Sequence, residues 1–378
     1  MAALDDAWRS GAAVLPLDPA APEAVRRRLM EAMRPDLGVD EDIALVITTS
    51  GSTGGPKGAE LSHDALAASA RATMARIGVA DGDRWLACLP WHHIGGLQVL
   101  LRARMFETPL VVHERFDVDR IRAERDVTLM SCVPTQLVRL LDADVDLGRF
   151  RAILLGGAMA PPSLLARAEA AGVNVVTTYG MSETCGGCVY DGTPLDGVAV
   201  RIANDGRIGD DGRIQLSGPM LMSGYRLAPQ LTAQVLSDGW FATSDIGAVG
   251  ADGRLVVHGR LDDVVVTGGE NVVTTEVAAL LTEHPNVREV FVTGVEDEQW
   301  GQRLVALVVP RGDAPTLEDL RRWCRDRLPA AAAPRALVLV DDLPRLASGK
   351  PDRLAAQSLV NQSLVNQSLQ GQSLDSDG

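Results

Sequence analysis

Ile43-Ala44-Leu45-Val46-Ile47-Thr48 runs directly into Thr49-Ser50-Gly51-Ser52-Thr53-Gly54-Gly55-Pro56-Lys57-Gly58, and Ser62 then precedes Ala65, Leu66, Ser69 and Thr73 at helical spacing. The apolar run reads as a buried strand, and Ser62 reads as the N-cap of a helix. Between them lie several glycines, five hydroxyls from Thr48 to Thr53 and the ammonium of Lys57. Glycines let backbone N–H groups approach oxygens closely, hydroxyls donate to them, and a cation offsets their charge. A strand, this loop and a helix therefore predict a phosphate-handling site that meets a nucleotide triphosphate. It is not a Walker A loop, because Pro56 separates Gly55 from Lys57 and a glycine follows the lysine. The bland alternative is a flexible Gly/Ser turn.

Trp85–Leu89, Val127–Ser131, Ala152–Leu155 and Val173–Thr178 read as further buried strands, with helices such as Thr135–Leu141 and Pro161–Ala171 between them. Short apolar runs alternating with helical patterns predict an α/β domain. After Asp191 the runs shorten and are broken by Asp-Gly and Asp-Asp-Gly, as in a small antiparallel β module. From about residue 262 mixed strands and helices return. Residues 357–376 repeat Gln-Ser-Leu-Val-Asn and variants of it. A five-residue period matches neither helix nor strand, which predicts a disordered extension. The alternative is an amphipathic partner-binding segment built on Leu359, Leu364 and Leu369.

The chain has 378 residues, which points to two domains or one large one. Its 36 basic residues stand against 50 acidic ones, a formal charge of −14, so nucleic acid is excluded as a partner class. No stretch approaches the roughly 20 apolar residues of a membrane helix, so no membrane insertion is expected. Asp5, Asp6, Asp18 and Glu23 interrupt the first thirty residues, so no signal peptide is readable and a cytoplasmic location is expected. Five scattered cysteines do not make a disulfide framework and are expected as reduced thiols.

With the loop at 48–58, four further motifs in order resemble the adenylate-forming superfamily of acyl-CoA synthetases, luciferases and peptide-synthetase adenylation domains. They are Tyr179-Gly180-Met181-Ser182-Glu183-Thr184, Trp240-Phe241-Ala242-Thr243-Ser244-Asp245, Gly259-Arg260-Leu261-Asp262-Asp263 and Pro344-Arg345-Leu346-Ala347-Ser348-Gly349-Lys350. The resemblance spans residues 45–355. It implies an α/β fold: a large N-terminal domain over 1–260, with mixed and parallel sheets flanked by helices plus a β module, and a small mobile α+β domain over 261–356. The tail, 357–378, lies outside it. It also implies ATP, Mg²⁺ and coenzyme A as the small molecules handled, and it admits a homodimer.

Residue by residue, the resemblance assigns ATP to Thr49, Ser50, Gly51, Ser52, Thr53, Gly54, Lys57, Gly157, Tyr179 and Thr184, and the ribose hydroxyls to Asp245 and Arg260. Glu183 would coordinate Mg²⁺, Lys350 would be the adenylation lysine, Asp262 the hinge, and Gly268 and Gly269 the walls of a CoA channel. Each has a bland reading beside it: a solvated Glu183, a surface ion pair of Asp245 with Arg260, an exposed Lys350 on a mobile loop. Leu89-Pro90-Trp91-His92-His93-Ile94-Gly95-Gly96 resembles the superfamily's Pro-x-x-His segment, with His93 closing over the acyl pocket. The paired histidines are not read as metal ligands, because sequence neighbours diverge and no third ligand lies at suitable spacing. Cys185-Gly186-Gly187-Cys188 has no second pair for zinc and does not open a helix as a redox motif would, so both cysteines are read as pocket or loop residues.

Ser131-Cys132-Val133-Pro134-Thr135-Gln136-Leu137 and the run from Tyr179 to Gly192 look most like the o-succinylbenzoate–CoA ligases of menaquinone synthesis, in their short actinobacterial form. That resemblance implies a diacid substrate, with Gly180, His93, Ser131, Thr135 and Gln136 lining its pocket. No arginine in these motifs is an obvious partner for the second carboxylate. Another aryl or short-chain acid, and a nucleotide-binding regulator without turnover, are the rival readings.

Overall fold

The computed structural model describes residues 2–50, 55–208, 211–345 and 352–374. A seven-stranded sheet has the order Leu110–Val112, Trp85–Ala87, Leu129–Cys132, Ala152–Leu155, Val175–Met181, Gly186–Tyr190 and Thr193–Pro194. The first five strands are parallel and the last two antiparallel. Helices Ile94–Met105, Val118–Ala123, Pro134–Asp142 and Pro162–Ala170 make the connections. Strands covered on both faces are near-continuously apolar, which is why they were legible as short apolar runs. Leu86, Met130, Ile153 and Leu155 face one core cluster, while Trp85, Leu129 and Leu154 face another.

Ser62 caps helix His63–Ile77 as expected, its hydroxyl accepting the Ala65 N–H at 3.1 Å. The segment before it differs from expectation. Ile43–Ser50 does not pass through a loop into the helix; it turns back and pairs antiparallel with Pro56–Ser62, and Gly224–Tyr225 joins the far edge of the second strand. Thr49 and Ser50, at the start of the Ser/Thr/Gly run, thus pair with Lys57 and Pro56, at its end. Residues 51–54 themselves lie outside the described residues.

After Asp191 the expected β module is present as a five-stranded sheet: Ala199–Ile208, Asp211–Ser217, Trp240–Val249 and Leu236–Ser237 in order, with Leu255–Arg260 on Trp240–Val249. By internal contacts the chain forms two compact units, one of residues 1–201, 215–243 and 249–256, the other of 202–214, 244–248 and 257–378.

The second unit is built on a sheet ordered Glu270–Val273, Val264–Thr267, Gly301–Pro310, Val287–Asp297, with Ala336–Leu339 parallel to Gly301–Pro310. Leu304, Ala306 and Val308 pack with Val277, Leu281, Leu320 and Cys324 on one face. Val305, Leu307 and Val309 point to the other face, and what covers it corrects the reading of the tail. Helix Arg353–Leu374 lies there and buries Ala356, Val360 and Leu364. The repeat is therefore helical where a disordered extension was expected. These three residues are four apart, so a helix gathers them on one side although Val360 and Leu364 hold different places in the five-residue unit and Ala356 precedes it. An uncovered sheet face of valine and leucine supplies the apolar partner that the repeat lacks by itself. Residues 375–378 are outside the described residues. No described helix is long and apolar enough to cross a membrane.

Candidate active site

Successive parallel strands end where the expected site residues begin. His93 follows Trp85–Ala87 at the start of helix Ile94–Met105, Ser131 is the last but one residue of Leu129–Cys132, which leads to Thr135 and Gln136, Gly157 follows Ala152–Leu155, and Val175–Met181 carries Tyr179 and Gly180 into Glu183. Ligands of open α/β sheets bind beyond the carboxyl ends of the strands for this reason: loops there come from neighbouring strands and converge.

Glu183 sits in the single 3₁₀ turn Ser182–Thr184 and is 9% exposed. A carboxylate so buried needs partners. The Tyr225 hydroxyl donates to its Oε1 at 2.7 Å, and the Glu183 carbonyl accepts the Met222 N–H at 2.8 Å. Lys57 Nζ stands 5.6 Å from the centroid of the same Tyr225 ring. Three groups are thus brought together beside the strand Pro56–Ser62: an ammonium, a phenol and a carboxylate. The turn is rigid. Thr184 Oγ1 accepts the Met181 N–H at 2.9 Å and donates to Gly186 O at 2.7 Å, so this hydroxyl, expected at ATP, is engaged within its own turn. Gly180 has a steric reason, because a Cβ there would stand 2.1 Å from Gly186 O.

In the expected acid pocket Ser131 is buried and Thr135 exposed. The Gln136 side-chain oxygen accepts the Val133 N–H at 3.2 Å, capping helix Pro134–Asp142 and leaving its NH₂ as the available donor. His93 is exposed, its ring 4.4 Å from that of His92. Cys185 and Cys188 are fully buried free thiols; burial raises both, Cys188 to about 12. Thiols held protonated at neutral pH are poor nucleophiles.

Sequence reading missed Tyr225 and Arg102. Arg102, on helix Ile94–Met105, is 3% exposed, and its Nε and Nη1 have no hydrogen-bond partner. The other arginine buried in this unit, Arg226, shows what an ordinary buried guanidinium requires: bonds to the carbonyls of Met33, Arg34, Leu37 and Gly38 and to Glu60. Arg102 stands over the Trp85 ring, 5.6 Å from its centroid, and pairs with no Asp or Glu among the described residues. One signal in the composition was available as well. Of the 36 lysines and arginines only Lys57 and Lys350 are lysines, and both stand in the motifs.

In the second unit Asp245 and Arg260 approach to 3.9 Å, with the guanidinium about half exposed. Asp262 is exposed at the surface of the 3₁₀ turn Leu261–Asp263. Gly268 and Gly269 form the two-residue turn between Val264–Thr267 and Glu270–Val273 with φ of 61° and 83°, both left-handed. A Cβ on Gly268 would stand 3.0 Å from the Trp300 ring. Lys350 and residues 51–54 lie outside the described residues, as does the side chain of Ser50.

Residues 32–226 match the family model of AMP-binding enzymes and residues 276–350 that of the AMP-binding enzyme C-terminal domain. The "Probable 2-succinylbenzoate--CoA ligase" of Mycobacterium tuberculosis is 44% identical over 347 residues, 86% of this chain and 87% of its own. The chain belongs to the AMP-binding enzymes of the 2-succinylbenzoate–CoA ligase family. Two solved structures of Bacillus subtilis o-succinylbenzoate CoA synthetase superpose with TM-scores of 0.79 at 30% identity. One, in complex with the acyl-adenylate intermediate OSB-AMP, covers 93% of this chain and 79% of that one. The other, with ATP and a magnesium ion, covers 94% and 81%.

The α/β architecture expected from the sequence is that of this ligase family. Its chemistry calls for Mg²⁺, and the donor set fits. Among the described residues no cluster of three or more His, Cys, Asp or Glu could hold a metal ion by itself. Mg²⁺ needs no such cage, since it keeps waters and phosphate oxygens and takes one or two carboxylates from a protein. Glu183, with Oε1 on a phenol and Oε2 left over, is a hard oxygen donor of that kind.

Proposed function

We propose that this chain joins o-succinylbenzoate to coenzyme A at the expense of ATP, through an acyl-adenylate and with release of pyrophosphate and AMP, as a cytoplasmic step of menaquinone biosynthesis. The carrying observation is the Lys57–Tyr225–Glu183 cluster beside the strand Pro56–Ser62, in a chain of this ligase family. In the first half-reaction the aliphatic carboxylate attacks the α-phosphorus and pyrophosphate leaves. Lys57 and the N–H and hydroxyl groups of residues 49–54 meet the departing charge, Lys350 bridges phosphoryl and carboxylate oxygens, and Asp245 and Arg260 hold the ribose. Mg²⁺, held by Glu183, would screen the phosphates. In the second half-reaction the CoA thiolate attacks the acyl carbon and AMP leaves. Asp262 serves as pivot, and the absent side chains at Gly268 and Gly269 leave room for pantetheine.

Arg102 supports a diacid over a simple acid. A buried guanidinium without carbonyl or carboxylate partners is costly, and an incoming carboxylate supplies both charge and hydrogen bonds. The test is a panel of acids in a pyrophosphate-release assay, run with and without CoA. The diacid should give both pyrophosphate and CoA-dependent AMP, well above benzoate and medium-chain fatty acids. Preference for another acid would move the substrate and keep the ligase; no AMP with any acid would leave a nucleotide-binding regulator.

A further inference from the structure

Tyr225 is used by no motif, yet it touches both charged groups beside the phosphate turn. Its hydroxyl holds Glu183 at 2.7 Å, and its ring lies 5.6 Å from the ammonium of Lys57, within reach of a cation–π attraction. The residue is also unusually fixed. Its backbone pairs with Ala59 at the edge of the hairpin, and its N–H donates to Thr232 Oγ1 at 2.8 Å. The next residue, Arg226, is bound by four backbone carbonyls and Glu60. A side chain clamped on both flanks can orient others without being moved by them.

We propose that Tyr225 is a positioning residue for the metal-binding carboxylate: its phenol occupies Glu183 Oε1 and turns Oε2 toward the metal, while its ring holds Lys57 apart from that carboxylate. This rests on the reading of Glu183 as the Mg²⁺ ligand. Two opposite charges beside one small turn would otherwise attract each other, and a Lys57–Glu183 pair would remove both the metal ligand and the phosphate cation. Hydrogen-bonded partners that orient metal ligands are worth about 10–100-fold in metal affinity.

The experiment uses the full chain with ATP and Mn²⁺ as the paramagnetic probe, reading Mn²⁺ affinity of the ATP complex by electron paramagnetic resonance, ATP affinity in EDTA, and melting temperature. Tyr225→Phe keeps the ring and deletes the hydroxyl. It should weaken Mn²⁺ binding about tenfold or more, leave metal-free ATP binding within about twofold, and regain wild-type kcat at saturating Mg²⁺. Tyr225→Leu should weaken metal-free ATP binding as well, because Lys57 loses its ring. Glu183→Gln separates the two claims. If it weakens Mn²⁺ binding and Tyr225→Phe does not, the positioning role is wrong while the metal reading stands. If Glu183→Gln leaves Mn²⁺ binding intact, both are wrong. A lowered melting temperature with unchanged Mn²⁺ affinity in Tyr225→Phe would make the tyrosine a packing residue and overturn the proposal.

Discussion

The guanidinium of Arg353 forms an ion pair with the carboxylate of Asp263, which is 3% exposed. Arg353 opens the tail helix just after the Lys350 segment, and Asp263 closes the 3₁₀ turn that carries Asp262. Burial and the nearby Arg260 lower the Arg353 pKa, and Asp262 opposes them. One contact therefore ties the turn of the expected pivot to the residues that follow the expected adenylation lysine.

Asp263→Asn should accordingly do two things. Loss of a charged hydrogen-bond acceptor next to a partly buried guanidinium costs about 2 kcal/mol, visible as a lower melting temperature. Adenylation should fall as well, because Arg353 stands three residues after Lys350 in the chain. Normal pyrophosphate release by a destabilised variant would restrict the pair to folding.

Lys350→Ala should abolish adenylate formation and leave CoA transfer from supplied acyl-adenylate largely intact. A charge aimed at the attacked phosphate helps the first half-reaction only, and loss of one such contact costs about 10²-fold or more. Single-turnover measurement of each half-reaction checks this; equal loss of both would remove Lys350 from its assigned role.

Much of this was legible because the apolar strands and the Ser62 cap are local signals. Trp85, Leu129 and Ile153 lie in strands whose neighbours are also apolar, and their order follows from crossover connections. What failed was non-local. The hairpin partner of Ile43–Ser50 is a strand of mixed polarity, Pro-Lys-Gly-Ala-Glu-Leu-Ser, that no apolar run announces. The tail helix depends on a sheet face made by Val305, Leu307 and Val309, far away in sequence. Tyr225 was missed for the same reason: its importance comes from meeting Glu183 across 42 positions.

Asp83 gives stability a pH dependence. Burial raises its carboxyl, but Arg151, the Ala80 N–H and the Thr128 hydroxyl outweigh that and hold it below the usual carboxylate range. With the folded pKa depressed, its contribution is complete above the unfolded value of about 3.9 and is lost as pH falls through the folded value. Asp83→Asn should therefore lower the melting temperature at neutral pH and flatten its fall between about pH 4 and 2. An unchanged acid profile in the variant would assign acid sensitivity elsewhere.

The orphaned guanidinium of Arg102 makes the sharpest statement about substrate. If it receives the aromatic carboxylate of the diacid, Arg102→Met leaves that carboxylate buried against an apolar side chain, which costs more than the ~1–3 kcal/mol of a missing methylene. kcat/KM for o-succinylbenzoate should fall by about 10² or more. The mono-acid analogue lacking that carboxylate should lose little, or gain, because the unpaired charge of the free enzyme is gone. Gln136→Leu, which leaves the Val133 N–H without its acceptor, should lower activity toward both acids by disturbing the start of helix Pro134–Asp142. The discriminating quantity is the ratio of diacid to mono-acid kcat/KM. It should collapse in Arg102→Met and hold in Gln136→Leu. A ratio preserved in Arg102→Met would place the second carboxylate elsewhere, and leave the guanidinium as a buried charge tolerated for its packing on Trp85.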